Sequence, residues 1–483
     1  MSQFKARVIV GSAMLGLGTL VQAAQPPDPV QSDSLGDTAV GTGAMALFNS
    51  TGFAGNSTAV GFNALQANPT PLESVAIGAF AMQQNNGSTG IAVGFSAMMT
   101  GGGEYNVAIG RQALYKGGGS DNIAIGYGAQ FINESGTDNV SIGSSTLFYN
   151  KSGGRNTAVG SYALVGTQMD LPGASNNTAV GWAAMSGVAS GAFNVAVGSG
   201  ALAYHTNGNF NTALGGGALG QNTTGGANTA VGYHALFENE DAIDNTAVGT
   251  RALQSNTRGA SNTSVGESAL RNNTIGASNV AIGRNALYSM TGGTHNTALG
   301  NNAGYNIANT SDNIDIANQG MVGDTGTIRI GAPSTQKATY IAGIATTQLT
   351  GAAVYVNSNG QLGVLASSER YKTAISPMSV DAATLQRLRP VTFHLKTEPN
   401  GALQYGLIAE EVDKVYPDLV VHDSAGAIQS VRYDELTSIL LKETQQQRET
   451  IAKLENAQNQ MQTQFAALSA QIKTLQAAAA SAR

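Results

Sequence analysis

The sequence predicts a mainly β protein, in which a parallel β-roll or solenoid of about 16 turns is followed by a small α/β domain and a C-terminal coiled coil. Three observations predict this fold class. A short phrase ending in glycine recurs through more than half of the 483 residues, a mixed sequence begins near residue 367, and a heptad pattern of apolar residues follows. The 62 glycines and the 11% of charged residues also differ from the composition of an average enzyme.

Composition excludes several kinds of binding site. The formal net charge is -6 and no run of five or six like charges occurs, so no nucleic-acid partner is expected. The chain has no cysteine, which excludes disulfides and thiolate metal ligands. Its five histidines are scattered without the spacing of metal ligands. We therefore expect neither a metal nor another cofactor.

The N-terminus has the pattern of a secretory signal peptide over residues 1–23. Lys5 and Arg7 precede an apolar stretch at residues 8–21, and small residues suitable for cleavage end at Ala23. This predicts export to the cell surface or the medium, with passage through a periplasm where there is one. An uncleaved anchor helix is the alternative. No second long apolar segment follows, so no integral membrane span is expected in the mature chain.

The repeats occupy residues 35–305. A clear copy is 228–232, Asn-Thr-Ala-Val-Gly, which is followed by Ala235 and Leu236 and then by a polar turn. Aligned on the glycine, the usual step is 16 or 17 residues, and the two longer steps, after Gly41 and Gly160, predict loops. The aligned glycines are Gly41, Gly61, Gly78, Gly94, Gly110, Gly126, Gly143, Gly160, Gly181, Gly198, Gly215, Gly232, Gly249, Gly266, Gly283 and Gly300.

One repeat is too short to fold alone, but stacked repeats stabilise one another. We expect the Val or Ile before each glycine to form an apolar column and backbone groups to pair between turns. Asparagine at the start of each phrase can form a ladder of amide hydrogen bonds. Glycine supplies the corner, where the chain needs a positive φ or a close neighbouring backbone.

The phrase Asn-Thr-Ala-Val-Gly-x-x-Ala-Leu resembles the head repeat of trimeric autotransporter adhesins and of related bacterial and phage fibre proteins. The resemblance implies left-handed parallel β-rolls packed as trimers, although the spacing here is slightly longer than is usual in such heads. It also implies a cell-surface or glycan ligand, which the residues do not identify. Two alternatives remain: a structural spacer, and an ice-binding row of threonines such as Thr157 and Thr229, which Val107 and Ile123 interrupt.

Residues 306–366 are predicted to be a β-rich stalk. Apolar and polar residues alternate at 313–317 and 327–331, and two further apolar segments follow at 339–343 and 353–356.

Residues 367–372, Ser-Ser-Glu-Arg-Tyr-Lys, contain the residues with catalytic potential. A serine and a lysine can perform acyl chemistry when burial keeps the lysine neutral, so that it accepts the hydroxyl proton. Taken alone, Ser367 and Lys372 have a spacing that occurs by chance in most proteins. Residues five apart point to different faces of a strand or helix. The two side chains can therefore meet only across a turn or between chains.

Five segments in order resemble the C-terminal intramolecular chaperone domain of endosialidase-type phage tail spikes, which also occurs in bacterial fibre proteins and in a membrane-bound animal transcription factor. They are residues 367–375, 388–393, 405–412, 416–420 and 431–436. The resemblance implies a domain at 367–445 that assists the assembly of three chains and then cuts itself off.

The resemblance assigns catalysis to Ser367 and Lys372, and Arg370 matches the arginine of the family. Ser368 stands where tail spikes often have aspartate, so the side of Ser367 that is cut and the possible competition from Ser368 stay open. The expected enzyme is a single-turnover, self-cleaving serine peptidase without activity on an external substrate. Glu410 and Glu411 are adjacent acids that we interpret as part of a solvated face rather than as groups for acid–base catalysis. A carbohydrate-degrading spike would need paired carboxylates in a cleft, which the acid-poor repeats do not offer.

Apolar residues then recur in steps of three and four, which predicts a coiled coil at 446–478 within a helix from about 434. Three chains would agree with the trimer expected upstream, and a helix packed on its own domain is the alternative. The seam contains Ile451, Leu454, Met461, Phe465, Leu468, Ile472 and Leu475, with Gln458 among them. The amphipathic membrane strands of an autotransporter are not found here, so we expect no anchor of that kind.

Together these observations predict an exported homotrimeric fibre or adhesin-like protein whose last domain chaperones assembly and then releases itself at Ser367. The alternative is a surface adhesin or structural fibre that is not cleaved and uses its last domain only for trimerisation. Partners other than the chain itself are limited to the unidentified surface ligand.

Overall fold

The computed structural model describes residues 31–32, 36–46, 55–68, 72–87, 89–166, 174–332, 334–342, 353–357, 359–423 and 426–481. The predicted signal peptide lies outside these residues, as do most of the two predicted loops of the repeats. The chain divides into two units, Met1–Tyr340 and Ile341–Arg483.

The first unit is a parallel β-solenoid, as the repeats predict. Its strands form one nineteen-stranded sheet in which each turn adds a strand of three or four residues beside the previous one. Among the described residues, the exception to parallel pairing is Gln31–Ser32, which pairs antiparallel with the first repeat strand. The parallel strands are Thr38–Val40, Thr58–Val60, Val75–Ile77, Gly90–Val93, Asn106–Ile109, Ile123–Ile125, Val140–Ile142, Thr157–Val159, Thr178–Val180, Val195–Val197, Thr212–Leu214, Thr229–Val231, Thr246–Val248, Thr263–Val265, Val280–Ile282, Thr297–Leu299, Ile314–Ile316 and Ile328–Ile330.

A second, short parallel sheet lies in the N-terminal turns. Its strands are Gln84–Asn85, Thr100–Gly101, Lys116–Gly117 and Ile132–Asn133.

The core of the solenoid is built from alanine and leucine. In one turn Ala230, Ala235 and Leu236 are fully buried, and the equivalent residues of the other turns repeat this pattern. Ala230 is the middle residue of its strand, so side-chain alternation directs both of its neighbours outward. The predicted column of Val and Ile before the glycines does form, because Val231 pairs in register with Val248, but it lies on the outer face.

The corner glycines have the conformation that the sequence predicts. All sixteen have positive φ, between 120° and 138°. A Cβ atom added to Gly232 would lie 2.6 Å from the carbonyl oxygen of Gly249 on the next turn. Glycine is therefore required for its backbone conformation and for the close approach of consecutive turns.

The predicted asparagine ladder is also present. The backbone N–H of Asn245 and its Nδ2 donate to Oδ1 of Asn228 at 3.0 and 3.2 Å, and Nδ2 donates to the Gly259 carbonyl at 2.9 Å. Equivalent bonds join the buried asparagines of successive turns along the array. The ladder satisfies amide groups that would otherwise be buried without partners.

The solenoid extends further than the sequence analysis expected. Ile314–Ile316 and Ile328–Ile330, which were assigned to the stalk, pair parallel with the preceding strand and with each other. The strand predicted at 339–343 is irregular over its described residues, 339–342. The strand predicted at 353–356 is shorter, Tyr355–Val356, and forms a hairpin with Leu362–Gly363.

The second unit contains the small mixed domain and the long helix. Its other hairpins pair Val391–Phe393 with Gln404–Gly406 and Val420–His422 with Ile428–Val431. Its helices are α1 (Ala382–Leu385), α2 (Ala409–Val415) and α3 (Tyr433–Ser481), and 3-10 turns occupy Glu369–Tyr371 and Pro417–Leu419. The domain core contains Val380, Val412, Leu419, Val420, Val431 and Ile439.

Helix α3 contains the predicted heptads, and its apolar seam residues from Ile451 to Leu475 are exposed in the single chain. None of the described helices has the length and hydropathy that a membrane crossing needs.

Candidate functional site: the junction at residues 367–372

The hexapeptide 367–372 folds around one 3-10 turn, Glu369–Tyr371. Ser368 precedes the turn in an extended conformation, and its carbonyl accepts the backbone N–H of Tyr371 at 3.0 Å. The backbone N–H of Lys372 donates to the Glu369 carbonyl at 2.9 Å. Ser367 and Lys372 thus flank a tight turn. Their side chains could meet across a turn or between chains, and the first of these arrangements requires such a turn.

Both candidate catalytic side chains are open to solvent in the single chain. Every described residue from 359 to 379 is exposed. No hydrogen bond or ion pair to another described residue involves the side chain of Ser367 or of Lys372. The guanidinium of Arg370 lies 4.7 Å from the centre of the Tyr371 ring, a cation–π contact within the turn itself. One chain alone therefore does not provide the burial that a neutral lysine requires.

The junction is attached to the domain at the start of α1. Val380 is buried in the core. Asp381 caps α1, since its carboxylate accepts from Ala383 N at 3.1 Å and from the Thr384 hydroxyl at 2.6 Å. These hydrogen bonds, led by that from Thr384, lower the pKa of Asp381. The exposed segment therefore ends where the folded domain begins.

Two contacts that sequence reasoning missed join the segments of the resemblance. Arg389 binds Glu411 through two hydrogen bonds, Nε to Oε2 at 3.0 Å and Nη2 to Oε1 at 2.5 Å. The hydrogen bond from Arg389 lowers the pKa of Glu411. Glu411 thus makes a specific ion pair on the surface and is not merely solvated.

The second contact involves Tyr433. The backbone N–H of Leu407 donates to the Tyr433 hydroxyl at 2.8 Å. This bond connects the start of α3 to the segment before α2. Both contacts join residues more than twenty positions apart, so periodicity could not have predicted them.

An apolar pocket of about 630 Å³ opens on the same domain. Its walls include Leu385, Leu388, Val391, Leu407, Leu436 and Leu440. Leu436 and Leu440 belong to the first turns of α3. Because its described walls carry no acid, base or nucleophile apart from the hydroxyls of Thr392 and Tyr405, the pocket is suited to contact with apolar side chains.

Across the described ranges, no group of three or more His, Asp or Glu side chains is placed to hold a metal ion.

Comparison with known protein families gives a match in the second unit. The family described as chaperone of endosialidase matches residues 367–421. No curated protein and no solved structure matches the chain. The match begins at Ser367 and includes the Arg389–Glu411 pair, while the solenoid and the whole of α3 lie outside it. The C-terminal resemblance is therefore confirmed: this β-solenoid protein carries, at residues 367–421, a segment of the endosialidase-chaperone type.

Proposed function

We propose that this protein is an exported homotrimeric fibre whose C-terminal domain chaperones the assembly of three chains and then releases itself by cleavage at Ser367. The observation that carries the proposal is the position of the family match, which begins at the serine that would be cut. The solenoid before it supplies the fibre, and the domain after it supplies the chaperone.

The proposed reaction is a single acyl transfer. Ser367 Oγ attacks an adjacent backbone carbonyl carbon and its proton passes to the neutral Nζ of Lys372. The peptide C–N bond breaks as Lys372 returns the proton to the departing amine, which leaves an ester on Oγ. Water then hydrolyses this ester to a carboxylate and regenerates the serine hydroxyl. Cleavage before Ser367 would use the Ala366 carbonyl.

Assembly would control this reaction. Lys372 is exposed in the single chain, so nothing there shields its amine from water. Contact with neighbouring chains would remove water from the lysine and favour its neutral form. The junction would thus remain intact until three chains have assembled.

The outer face of the solenoid supports self-association. Its column of Val, Ile and Leu side chains continues from turn to turn, and Ile282 and Leu299 are 39% and 46% exposed. A continuous apolar row on a protein surface marks an interaction site. Packing of three such faces is the arrangement that the head-repeat resemblance implies.

A surface component such as a glycan is the proposed ligand of the solenoid. Exposed rings follow several corner glycines, including Phe62, Phe95, Tyr127 and Trp182. Rigid aromatic faces provide contact area at low conformational cost. Binding of the purified solenoid to immobilised glycans tests this part of the proposal.

Mass spectrometry of the purified wild-type chain and of Ser367→Ala and Lys372→Arg tests cleavage. We expect two fragments with a break next to Ser367 in the wild type and one intact chain in both variants. Lys372→Arg keeps the positive charge but removes a base that can be neutral.

Ser368→Ala is the matched control, and we expect it to be cleaved like the wild type. Cleavage that persists in Ser367→Ala but stops in Ser368→Ala would move the nucleophile to Ser368. A wild-type chain that stays intact as a trimer would favour the fibre that is not cleaved.

A further inference from the structure

Helix α3 presents a long unpartnered seam. In heptad notation, positions a and d run in steps of three and four from Leu440 to Leu475. Leu440 itself is 48% exposed although it follows directly from the domain core. The seam is formed by Leu440, Thr444, Gln447, Ile451, Leu454, Gln458, Met461, Phe465, Leu468, Ile472 and Leu475.

Glu443, beside this seam, is an unusual residue. It is only 8% exposed, and its Oε1 accepts a hydrogen bond from Gln447 Nε2 at 2.7 Å. Its Oε2 is buried without a hydrogen-bond partner. None of the described lysines or arginines forms an ion pair with it. A buried carboxylate oxygen without a donor or a cation is costly, and the single chain provides neither for Oε2 of Glu443.

The heptad places a suitable partner on a second copy of the helix. Glu443 occupies position g, and Arg448, five residues later, occupies position e. In a parallel coiled coil whose helices are in register, each g residue faces the e residue of the next heptad on its neighbour. Arg448 is exposed and makes no ion pair within the described chain. The terminal torsion of a glutamate is soft, so either oxygen can turn toward the guanidinium.

An antiparallel arrangement would not supply this cation. There g residues face g residues, and the other g positions of the helix hold Leu436, Thr450, Ala457, Gln464, Gln471 and Ala478, none of which is charged. Antiparallel helices would pair Arg448 with Glu455 at the e positions and leave Glu443 without a partner. The charge pattern therefore favours parallel helices.

The apolar residues one heptad earlier agree with the same register. Leu436 is at position g and Leu441 is at position e. Leu441 is 61% exposed, and Leu436 lines the apolar pocket with Leu440. A parallel neighbour would place its Leu441 over Leu436, at the mouth of that pocket. The register that pairs the charges thus also covers an exposed leucine.

We propose that α3 associates with further copies of itself in parallel and in register, with Glu443 bound to Arg448 of the adjacent copy and Leu441 of that copy seated at the pocket. This rests on the proposed homotrimer and adds its register and direction. The pair acts where α3 leaves the domain, so it aligns the three chains at the end nearest the cleavage junction in sequence.

Charge reversal tests the pair in the full-length chain. Arg448→Glu, at an exposed position, should lower the association constant by about tenfold or more, because each Glu443 would then face an acid. Glu443→Arg combined with Arg448→Glu should restore association. Sedimentation equilibrium over a concentration series measures this. Glu455→Arg is the matched control and should leave association unchanged, whereas antiparallel helices would lose it.

Because the chain has no cysteine, one introduced thiol gives a second test that does not depend on burying a new charge. Leu454→Cys at position d should form a disulfide-linked dimer on oxidation within the trimer, since d residues of parallel helices in register face one another. Ala452→Cys, at position b on the outer face, should not.

The outcomes separate this inference from the proposed function. A monomeric wild-type chain overturns both. A trimer that is unaffected by Arg448→Glu, or one in which the Leu454→Cys variant does not cross-link, overturns the register and leaves the homotrimer standing.

Discussion

Asparagine is suited to the solenoid because its side chain has both a hydrogen-bond donor and an acceptor, and because it recurs once in every turn. Each ladder residue uses both, as Asn245 does toward Asn228 and Gly259. A second ladder, not expected from the sequence, lies seven residues after the corner glycines. It runs through Asn222, Asn239, Asn256 and Asn273, with amide bonds of 2.7, 3.3 and 2.8 Å between successive members.

His205 takes the place of asparagine in the second ladder. Its Nδ1 accepts from Asn222 Nδ2 at 2.9 Å, and its Nε2 lies 2.7 Å from the Gly208 carbonyl. These two partners fix the neutral tautomer with hydrogen on Nε2. Burial lowers the pKa of His205 below 6.5, against the opposing effect of the hydrogen bond to Gly208. Protonation of His205 Nδ1 would place its N–H against the donating Nδ2 of Asn222.

We expect His205 to make the solenoid less stable in acid. A histidine with a lowered folded-state pKa stabilises the folded state fully above its unfolded value of 6.5, and this contribution is lost as the pH falls through the folded pKa. His205→Asn keeps both hydrogen-bonding roles and should remove this part of the pH dependence. Urea unfolding between pH 5 and about 7.5 measures it, with exposed His295→Asn as control. An unchanged slope in His205→Asn would contradict the assignment.

The element that ends the solenoid differs from the turns before it. Asp315 occupies the strand position that holds buried Ala298 one turn earlier. Arg329, in register with Asp315 on the last strand, binds Asp324 through two hydrogen bonds of 2.6 and 2.8 Å. Burial, and then the charge of Asp324, raise the pKa of Asp315 to about 6, while Arg329 opposes the shift. The last turn thus closes the apolar core with a polar cluster.

The carboxyl of Asp315 should make this end of the solenoid weaker at high pH. Its folded-state pKa lies above the unfolded value of 3.8, so its stabilising contribution is complete below pH 3.8 and is lost as the pH rises through about 6. Asp315→Asn should stabilise the protein at pH 8 by about 2 to 3 kcal/mol and change little at pH 4. Thermal unfolding at the two pH values measures this.

Exposed Asp121→Asn serves as its control. Because His205 lowers stability in acid and Asp315 lowers it at higher pH, the single variants have to be compared rather than the wild-type profile alone. Equal stabilisation by Asp315→Asn at both pH values would show that the effect comes from packing rather than from the charge of Asp315.

The solenoid is a one-dimensional array in which each turn contacts its two neighbours. A defect in a central turn therefore interrupts coupling between the two halves, whereas a defect on an outer loop does not. Gly232 lies in the interior of the array, and its Cα faces the backbone of Gly249. Gly102 is exposed and has no neighbouring atom within 4 Å of an added Cβ.

Gly232→Ala should destabilise the protein by roughly 3 kcal/mol or more, because it adds backbone strain and a clash with the next turn. We also expect unfolding to separate into two transitions, since the turns on either side lose their coupling. Calorimetry measures both effects. Gly102→Ala should stay within about 0.5 kcal/mol of the wild type. A single unfolding transition at the wild-type temperature in Gly232→Ala would show that neighbouring turns can move apart at this corner without loss of stability.

The sequence alone predicts the repeat period, the glycine corners, the first asparagine ladder and the chaperone segment. These could be predicted because each turn contacts equivalent residues one period away, and because several motifs of the C-terminal segment stand in order. The catalytic assignment to Ser367 and Lys372 stays a prediction, since the burial it requires would come from other chains.

Which residues face inward and where the array ends depend on packing in the folded chain. Alanine lies inside and Val231 outside because the side chains of a strand alternate, and an apolar pattern alone does not choose between the two faces. Asp315 and Arg329 closed the array two strands beyond the predicted end. The Arg389–Glu411 pair and the Tyr433 contact join residues that are far apart in the sequence, and Glu443 is an acid buried on its helix. These features follow from packing rather than from periodicity.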